Sequence, residues 1–273
     1  MTAPTLNEAA GALRVLPVPL RSRSLHLVER HARVYRHAWL MLASGLLEPL
    51  FYLLSIGVGL GGLVGQVTGP GGRLITYTPF VAPSLLASSS MNGAIFDSTF
   101  NVFFRLKYAK LYDAALATPM RPRDIALGEV TWALIRGGMY ACAFMVIMLA
   151  MGLVHSVWAV LDVPVALLIG FAFAATGLAG TTYMRSWQHF EFVMLVTLPM
   201  FLFSGSFYPL SVYPGALRVV VEVTPLYQGV ALLRGLTLGA VGPAMLLHVL
   251  YLMVMGLAGL AIASRRIGHL LLK

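Results

Sequence analysis

The sequence predicts an all-α integral membrane protein. Of its 273 residues, 59% are hydrophobic and only 11% are charged, whereas a soluble domain is roughly half apolar and about one quarter charged. Apolar runs recur at lengths of about 20 residues, which is what a helix needs to cross a bilayer. The net charge of +9 is concentrated in alternate loops, a pattern typical of membrane topology rather than of nucleic-acid binding.

Six apolar runs are long enough to be membrane spans. They lie near residues 39–63, 77–104, 125–154, 163–184, 192–208 and 243–263. No stretch between them has the length or composition of a linker, so residues 39–273 are predicted to form one transmembrane domain behind a basic, amphipathic segment, 1–38. No signal-peptide pattern precedes the first run, and we expect insertion through the spans themselves.

The basic residues fall mainly on one side of these spans. That side carries Arg14, Arg21, Arg23, Arg30, Arg33, Arg36, Arg105, Lys107, Lys110, Arg121, Arg123, Arg185, Arg265, Arg266 and Lys273. The other side carries Arg73, Arg218 and Arg234. The positive-inside rule therefore predicts a multi-pass protein of the bacterial cytoplasmic membrane with both termini in the cytoplasm.

The N-terminal segment is predicted to contain an amphipathic helix that lies in the membrane interface. Its apolar stripe is Leu25, Val28, Ala32, Tyr35 and Trp39. Two roles are open for it: a basic anchor that sets the topology, or an anchor that also packs against a cytoplasmic partner. Its histidines are irregularly spaced for metal binding, so no metal is assigned.

The loop at about 105–124 is dense in polar residues and is predicted to form two short helical pieces. Thr118 and Pro119 look like an N-cap and first-turn pair, and Asp124 looks like a cap for the third span. The loop can be a simple connector or a docking surface. Docking is favoured because its apolar residues, Tyr108, Leu111, Tyr112, Leu116 and Met120, are expected to stay partly exposed.

Residues 201–239 combine apolar helix with repeated backbone breaks. The breaks fall at Ser204, Gly205, Ser206, Pro209, Pro214 and Pro225. Non-helical backbone at membrane depth is tolerated where protein buries it or where it lines a cavity. We therefore predict a re-entrant helical hairpin at about 209–239, between spans 5 and 6 on the outer side; an ordinary hairpin with a proline kink is the alternative.

Charges in this hairpin suggest a gate. Arg218 and Glu222 are four residues apart and are expected to pair on one helix. Arg234 lies beyond the Pro225 break, and we expect it to be free to meet an anionic headgroup of lipid or cargo. Aromatic residues in the same region, Phe201, Phe203, Phe207, Tyr208 and Tyr213, can stack on sugars or simply pack.

Three carboxylates lie in or near the predicted spans, where an unpaired charge is costly. Glu48 is the strongest candidate for a functional group, while Asp97 and Glu129 are expected to be hydrated near the cytoplasmic ends. They can be structural partners, gate elements or proton carriers.

No Walker A sequence and no catalytic constellation appears, so the chain has no predicted ATPase or other enzymatic site of its own. The single cysteine, Cys142, is read as a small buried hydrophobe.

The segment LYDAALATPMRPRDIALGE resembles the coupling segment of ABC-2-type exporter permeases, specifically the nodulation type that serves lipooligosaccharide export. That motif runs approximately W/Y-D-A-I-L-A-T-P-L, a spacer, then D-x-x-x-G-E. The matching residues are Tyr112, Asp113, Ala114, Leu116, Ala117, Thr118, Pro119, Asp124, Gly128 and Glu129. The first two spans and residues 201–239 are also similar to this family, from about Trp39 to the C-terminus; Met120 replaces a frequent Leu.

The resemblance implies a homodimeric permease bound to two copies of an ABC ATPase, which would bind the ATP and Mg. Residues Tyr112, Asp113, Ala114, Leu116, Thr118 and Pro119 would couple to that ATPase. The path or gate would include Glu48, Phe201, Phe203, Phe207, Tyr208, Tyr213, Arg218, Glu222 and Arg234. The implied cargo is an amphiphilic glycolipid or lipooligosaccharide. Alternatives are an ABC-2 drug exporter and, from another class, a proton-coupled secondary transporter or membrane-embedded enzyme using Glu48, Asp97 and Glu129.

Overall fold

A computed structural model describes residues 20–36, 47 and 49–271. Within them the chain is a bundle of helices with one small β-hairpin. The helices are α1 (Leu20–Arg36), α2 (Pro49–Val64), α3 (Tyr77–Phe96), α4 (Val102–Lys107), α5 (Leu111–Leu116), α6 (Pro122–Ala150), α7 (Asp162–Thr181), α8 (Phe190–Leu202), α9 (Gly215–Val223), α10 (Pro225–Leu238) and α11 (Ala244–Leu271). Strands β1 (Gln66–Thr68) and β2 (Leu74–Thr76) pair antiparallel, with Val67 opposite Ile75.

Three helices in the described part of the chain are long and apolar enough to cross a membrane. They are α6, the 25-residue stretch Val157–Thr181 that contains α7, and α11. A fourth candidate is the pair α9 and α10, which are bent by 84° at their junction. These helices confirm an all-α membrane protein in its broad outline and correspond to the third, fourth and sixth predicted spans, with the bent pair inside the predicted hairpin region.

The other predicted spans look different in the structure. Most of the first, including Glu48, lies outside the described residues, and α2 is a shorter apolar helix with a π-helical turn at Leu53–Gly59. The second continues from α3 through a π-helical turn, Asp97–Asn101, into α4. The fifth is a helix of only 13 residues, α8, that ends at Leu202. The small β-hairpin was not predicted.

Local sequence explains where the helices begin and end. Helix α6 begins at Pro122, whose missing N–H is not needed in the first turn. The carboxylate of Asp124 accepts the backbone N–H of Arg121 at 2.9 Å. Asp124 therefore caps this helix from its third position, which confirms the predicted cap. Thr118 and Pro119 lie in the turn after α5 and begin no helix, contrary to the prediction. Helix α10 begins at Pro225 and ends at Leu238; the next residue, Gly239, has a φ of 79°, a conformation that suits glycine.

The core lies where α3, α6, α7, α10 and α11 meet. Small residues bring the helices close together: at Gly259 of α11, a Cβ atom would lie 2.7 Å from the backbone of Ala175 in α7. Fully buried apolar side chains such as Phe80, Phe144 and Ile169 fill the space between these helices. Helix α8, by contrast, leaves most of its apolar side chains exposed, which suits a surface facing lipid.

Candidate functional site

Helix α5, which carries the coupling motif, is held to the bundle by one buried tyrosine. Tyr112 is only 1% exposed, and its hydroxyl donates a hydrogen bond to Glu129 Oε1 of α6 at 2.9 Å. Burial raises the pKa of Tyr112 well above its ordinary value, so the hydroxyl keeps its proton and remains a donor. The expectation that Tyr112 is partly exposed is therefore wrong; it anchors the helix instead of forming its outer surface.

Glu129 is the centre of a buried polar network. Besides Tyr112, its carboxylate accepts hydrogen bonds from Arg105 of α4 and from His31 Nε2 of α1, the latter at 3.1 Å. We call these four residues the Glu129 network. It joins α1, α4, α5 and α6 at the end of the bundle that is rich in arginine. The predicted hydration of Glu129 is wrong, because its side chain is 4% exposed and fully partnered.

A second buried ion pair lies close to this network. Arg136 Nη2 of α6 lies 2.6 Å from Asp97 Oδ1. Arg136 Nη1 donates a hydrogen bond to the Tyr35 hydroxyl of α1 at 3.1 Å. Asp97 is 5% exposed, so its predicted hydration is also wrong. Both described carboxylates of the proton-carrier alternative are thus paired with arginine, an arrangement that stabilises packing between helices.

Helix α1 packs against the start of α6 rather than lying apart from the bundle. Leu27 is buried against Gly128, where a Cβ atom would come within 3.0 Å of the leucine. Arg23 Nη1 donates to the carbonyl of Pro119 at 2.8 Å. The buried face contains Leu27 and His31, whereas Leu25 of the predicted apolar stripe is 49% exposed. Packing of α1 through Leu27 and His31 was not predicted, whereas the interfacial role of the stripe stays a prediction: Val28 and Tyr35 are half-buried, and Trp39 lies outside the described residues.

The outer face of the coupling segment is open. Exposed residues there are Asp113, Ala114, Thr118 and Pro119, while Leu116 is half-buried and packs against the core. Tyr112, on the buried face of the same helix, connects this surface to the Glu129 network through its hydrogen bond to Glu129.

The opposite end of the bundle also contains a buried charge, that of Arg234. Arg234 of α10 is 8% exposed; its Nε donates to the Phe80 carbonyl at 3.2 Å and its Nη2 to Ser84 Oγ and to the Gly205 carbonyl at 2.8 Å. Its guanidinium also lies 3.7 Å from the centroid of the Phe80 ring. Arg234 was expected to be free, yet it is buried, because the chain after the helix break at Gly205 folds back onto it; its expected contact with an anionic headgroup stays a prediction.

The remaining predicted gate residues are spread around this end. Arg218 Nε and Glu222 Oε1 are 3.0 Å apart, which confirms the predicted pair on α9. The rings of Phe201 and Phe207 pack edge to face, with their centroids 5.2 Å apart. Phe207 also meets Tyr208 edge to face, with ring centroids 6.5 Å apart, so these three rings form a connected row; Phe203 is exposed and Tyr213 is half-buried. Glu48 lies outside the described residues.

Sequence reasoning missed His31 and the acceptors of Arg234. His31 bonds to a residue 98 positions away, and Arg234 to Ser84, 150 positions away. No local pattern could identify such pairs. The family motif did indicate one pair, because Tyr112 and Glu129, which are hydrogen-bonded, are its first and last matched positions.

Comparisons with known proteins agree with the resemblance seen in the sequence. The family model described as ABC-2 type transporter matches residues 24–238. Nodulation protein J of Rhizobium leguminosarum bv. viciae is 30% identical over 229 residues, covering 82% of this chain and 86% of the relative. Its counterpart in R. leguminosarum bv. trifolii is 33% identical over 199 residues, covering 72% and 74%. Nodulation protein J of Bradyrhizobium diazoefficiens is 27% identical over 231 residues, covering 83% and 86%.

Proposed function

Because the chain belongs to the ABC-2 type transporter family, we propose that it is the membrane permease of an ATP-driven exporter for an amphiphilic glycolipid or lipooligosaccharide. The permease works as a homodimer with two copies of a separate ABC ATPase, which binds ATP and Mg and hydrolyses the nucleotide. The similarity to Nodulation protein J supports the choice of this cargo over a drug, which remains the alternative within the family.

One observation supports the coupling mechanism: the exposed helix α5 is bonded through Tyr112 to the buried carboxylate of Glu129. The ATPase docks on the outer face of α5 and moves it when ATP binds. Since Glu129 also bonds to Arg105 and His31, the movement is transmitted to α1 and α4 as well as α6. Rotation of these helices opens or closes the route between the two permease copies.

The proposed topology keeps six spans in the cytoplasmic membrane with both termini in the cytoplasm. Residues at about 209–239 form the outward re-entrant segment, in which the bend of 84° between α9 and α10 lets α10 enter the bundle while α9 lies at the surface. The gate combines the Arg218–Glu222 pair with Arg234 and the nearby aromatic residues Phe201, Phe203, Phe207, Tyr208 and Tyr213. Glu48 is assigned to the same path from the sequence.

Dependence on a partner tests this function. In proteoliposomes that contain the chain and its cognate ATPase, we expect ATP-dependent movement of a fluorescent amphiphilic glycolipid, and none with the chain alone. Movement by the chain alone that responds to a proton gradient would instead establish the secondary-transporter alternative. An ATPase-dead partner is the matched control, because it preserves assembly and removes hydrolysis.

The topology makes a separate prediction. Val160 is 81% exposed in the 3₁₀ turn that begins the apolar stretch Val157–Thr181. In the proposed topology this turn is the outer end of that span, and a cysteine there disturbs no packed side chain. In a Cys142→Ala background, we expect Val160→Cys to react with a membrane-impermeant maleimide added outside the cell. A cysteine at Thr118, exposed on the coupling segment, should react only in inverted vesicles. The reverse pattern would overturn the orientation.

A further inference from the structure

Arg234 is a buried cation without an anionic partner in the part of the chain that the structure describes. Its hydrogen-bond acceptors are the carbonyls of Phe80, Gly205 and Ser206 and the hydroxyl of Ser84, all of which are neutral. No carboxylate among residues 20–36, 47 and 49–271 forms an ion pair with it. The contrast with Arg105 and Arg136, each paired with a carboxylate, is sharp.

The bonding of the guanidinium is also incomplete. The four hydrogen bonds use only Nε and Nη2, and Nη1 has no hydrogen-bond partner in the described part of the chain. Nη1 is also not among the buried side-chain atoms that lack a partner, so it is open to the adjoining space, where a further partner would offset the cost of burying the charge. In a membrane protein, such a residue marks a ligand or transport site by default.

A cavity lies beside this side chain. Its volume is about 400 Å³, and Arg234, Phe80, Tyr227 and His248 line it together with Gly242. This size is within the range of small-ligand sites, roughly 300 to 1,000 Å³. Exposed residues Ser211 and Ala240 are also part of the lining, so the cavity extends from the buried guanidinium to the surface of the protein.

The cavity has the mixed chemistry that an amphiphile requires. The aromatic ring of Phe80 and the side chain of Met245 are apolar, whereas Arg234 contributes a charge and Tyr227 a hydroxyl. We propose that this cavity binds the anionic group of an amphiphile, with the phosphate or other acidic group at Nη1 of Arg234 and the alkyl part along the apolar wall. The inference rests on the proposed export function and specifies an acidic headgroup as the chemistry that the outer site recognises.

Position in the bundle supports the assignment. Helix α3 leads from Phe80, at the cavity, to α4 with Arg105, and α11 leads from His248, at the cavity, to Gly268, which lies near Pro122 at the start of α6. The cavity and the Glu129 network are therefore at opposite ends of the same helices. A ligand at Arg234 would bind where α10 and the break at Gly205 meet, at the end remote from the coupling segment.

The test is direct binding to the purified full-length chain in an uncharged detergent, measured by titration calorimetry with dihexanoyl phosphatidic acid. We expect Arg234→Gln to weaken binding at least 10-fold and Arg234→Lys to weaken it less, because lysine keeps the charge. Arg30→Gln, which alters an exposed arginine on α1 at the other end of the bundle, should bind as the wild type does. Uncharged dihexanoyl glycerol should bind weakly to all of them. Equal affinity of the wild type and Arg234→Gln would overturn the proposal.

A second variant tests the cavity independently, in case Arg234→Gln fails to fold. Gly242 lines the cavity, and a Cβ atom there would meet nothing within 4 Å. A side chain at residue 242 therefore has room at its first atom, and we expect Gly242→Trp to fold and to occupy part of the cavity while Arg234 keeps its hydrogen bonds; circular dichroism checks the fold. We expect at least 10-fold weaker binding of phosphatidic acid; unchanged binding would contradict the site.

Two probes distinguish a membrane lipid from cargo as the source of the acidic group. Arg234-dependent binding of phosphatidic acid alone indicates a lipid headgroup, whereas binding of octyl glucoside 6-phosphate, but not of octyl glucoside, indicates an acidic sugar-bearing cargo. Binding of neither probe refutes the proposal. These measurements need no ATPase, so a failure of ATP-driven export would leave their result unaffected.

Discussion

Glu129→Ala is expected to lower the free energy of unfolding by about 3 kcal/mol, the size typical of breaking a buried ion pair by removing one partner. The substitution leaves Arg105 without its carboxylate and deprives Tyr112 and His31 of their shared acceptor. Helices α1, α4 and α5 should therefore separate from α6. Titration with a denaturing detergent, followed by circular dichroism, measures the stability of the variant.

Two other variants make this test specific. Tyr112→Phe removes only one neutral donor, and we expect a loss of about 1 kcal/mol. Glu222→Gln alters the exposed pair on α9, 3.0 Å from Arg218, and should change stability by less than about 1 kcal/mol. If Glu129→Ala unfolds at the same detergent concentration as Glu222→Gln, the Glu129 network does not hold these helices together.

Asp113→Lys is expected to weaken binding of the ATPase at least 10-fold, or about 1.4 kcal/mol, while leaving the permease folded. Asp113 is exposed in the first turn of α5, so its charge is available to a partner and its replacement disturbs no packing. Reversing a charge in the centre of a docking surface introduces repulsion as well as removing attraction. Affinity for the purified ATPase, measured by surface plasmon resonance on the reconstituted permease, reports the effect.

Asp113 tests docking alone, whereas Leu116 does not. Leu116 packs against the core, so a charge there would disturb folding as well as docking. Asp113→Asn should lose less affinity than Asp113→Lys, since it removes the charge without reversing it. Arg218→Glu, at the opposite end of the bundle, is the matched control and should bind the ATPase normally. Unchanged affinity of Asp113→Lys would exclude this face of α5 as the docking surface.

The membrane class of the protein, several of its spans and the breaks after Leu202 follow from the sequence alone, because they depend on local properties. Apolar length determines whether a helix can cross a bilayer, and glycine and proline interrupt a helix wherever they permit or require a different backbone. Thus the breaks at Gly205 and Pro225 appear at the predicted positions. The coupling motif was also recognisable, since its residues are contiguous.

The partners of the charged residues were decided only by the tertiary structure. Glu129 was predicted to be hydrated and Arg234 to be free, yet both are buried because α1, α3 and the segment after α8 pack over them. Tyr112 was predicted to face a partner, yet it bonds inward to Glu129. A charged side chain in an apolar bundle must be satisfied somewhere, but which residue satisfies it depends on how helices distant in sequence pack together, and no periodicity or local spacing records that arrangement.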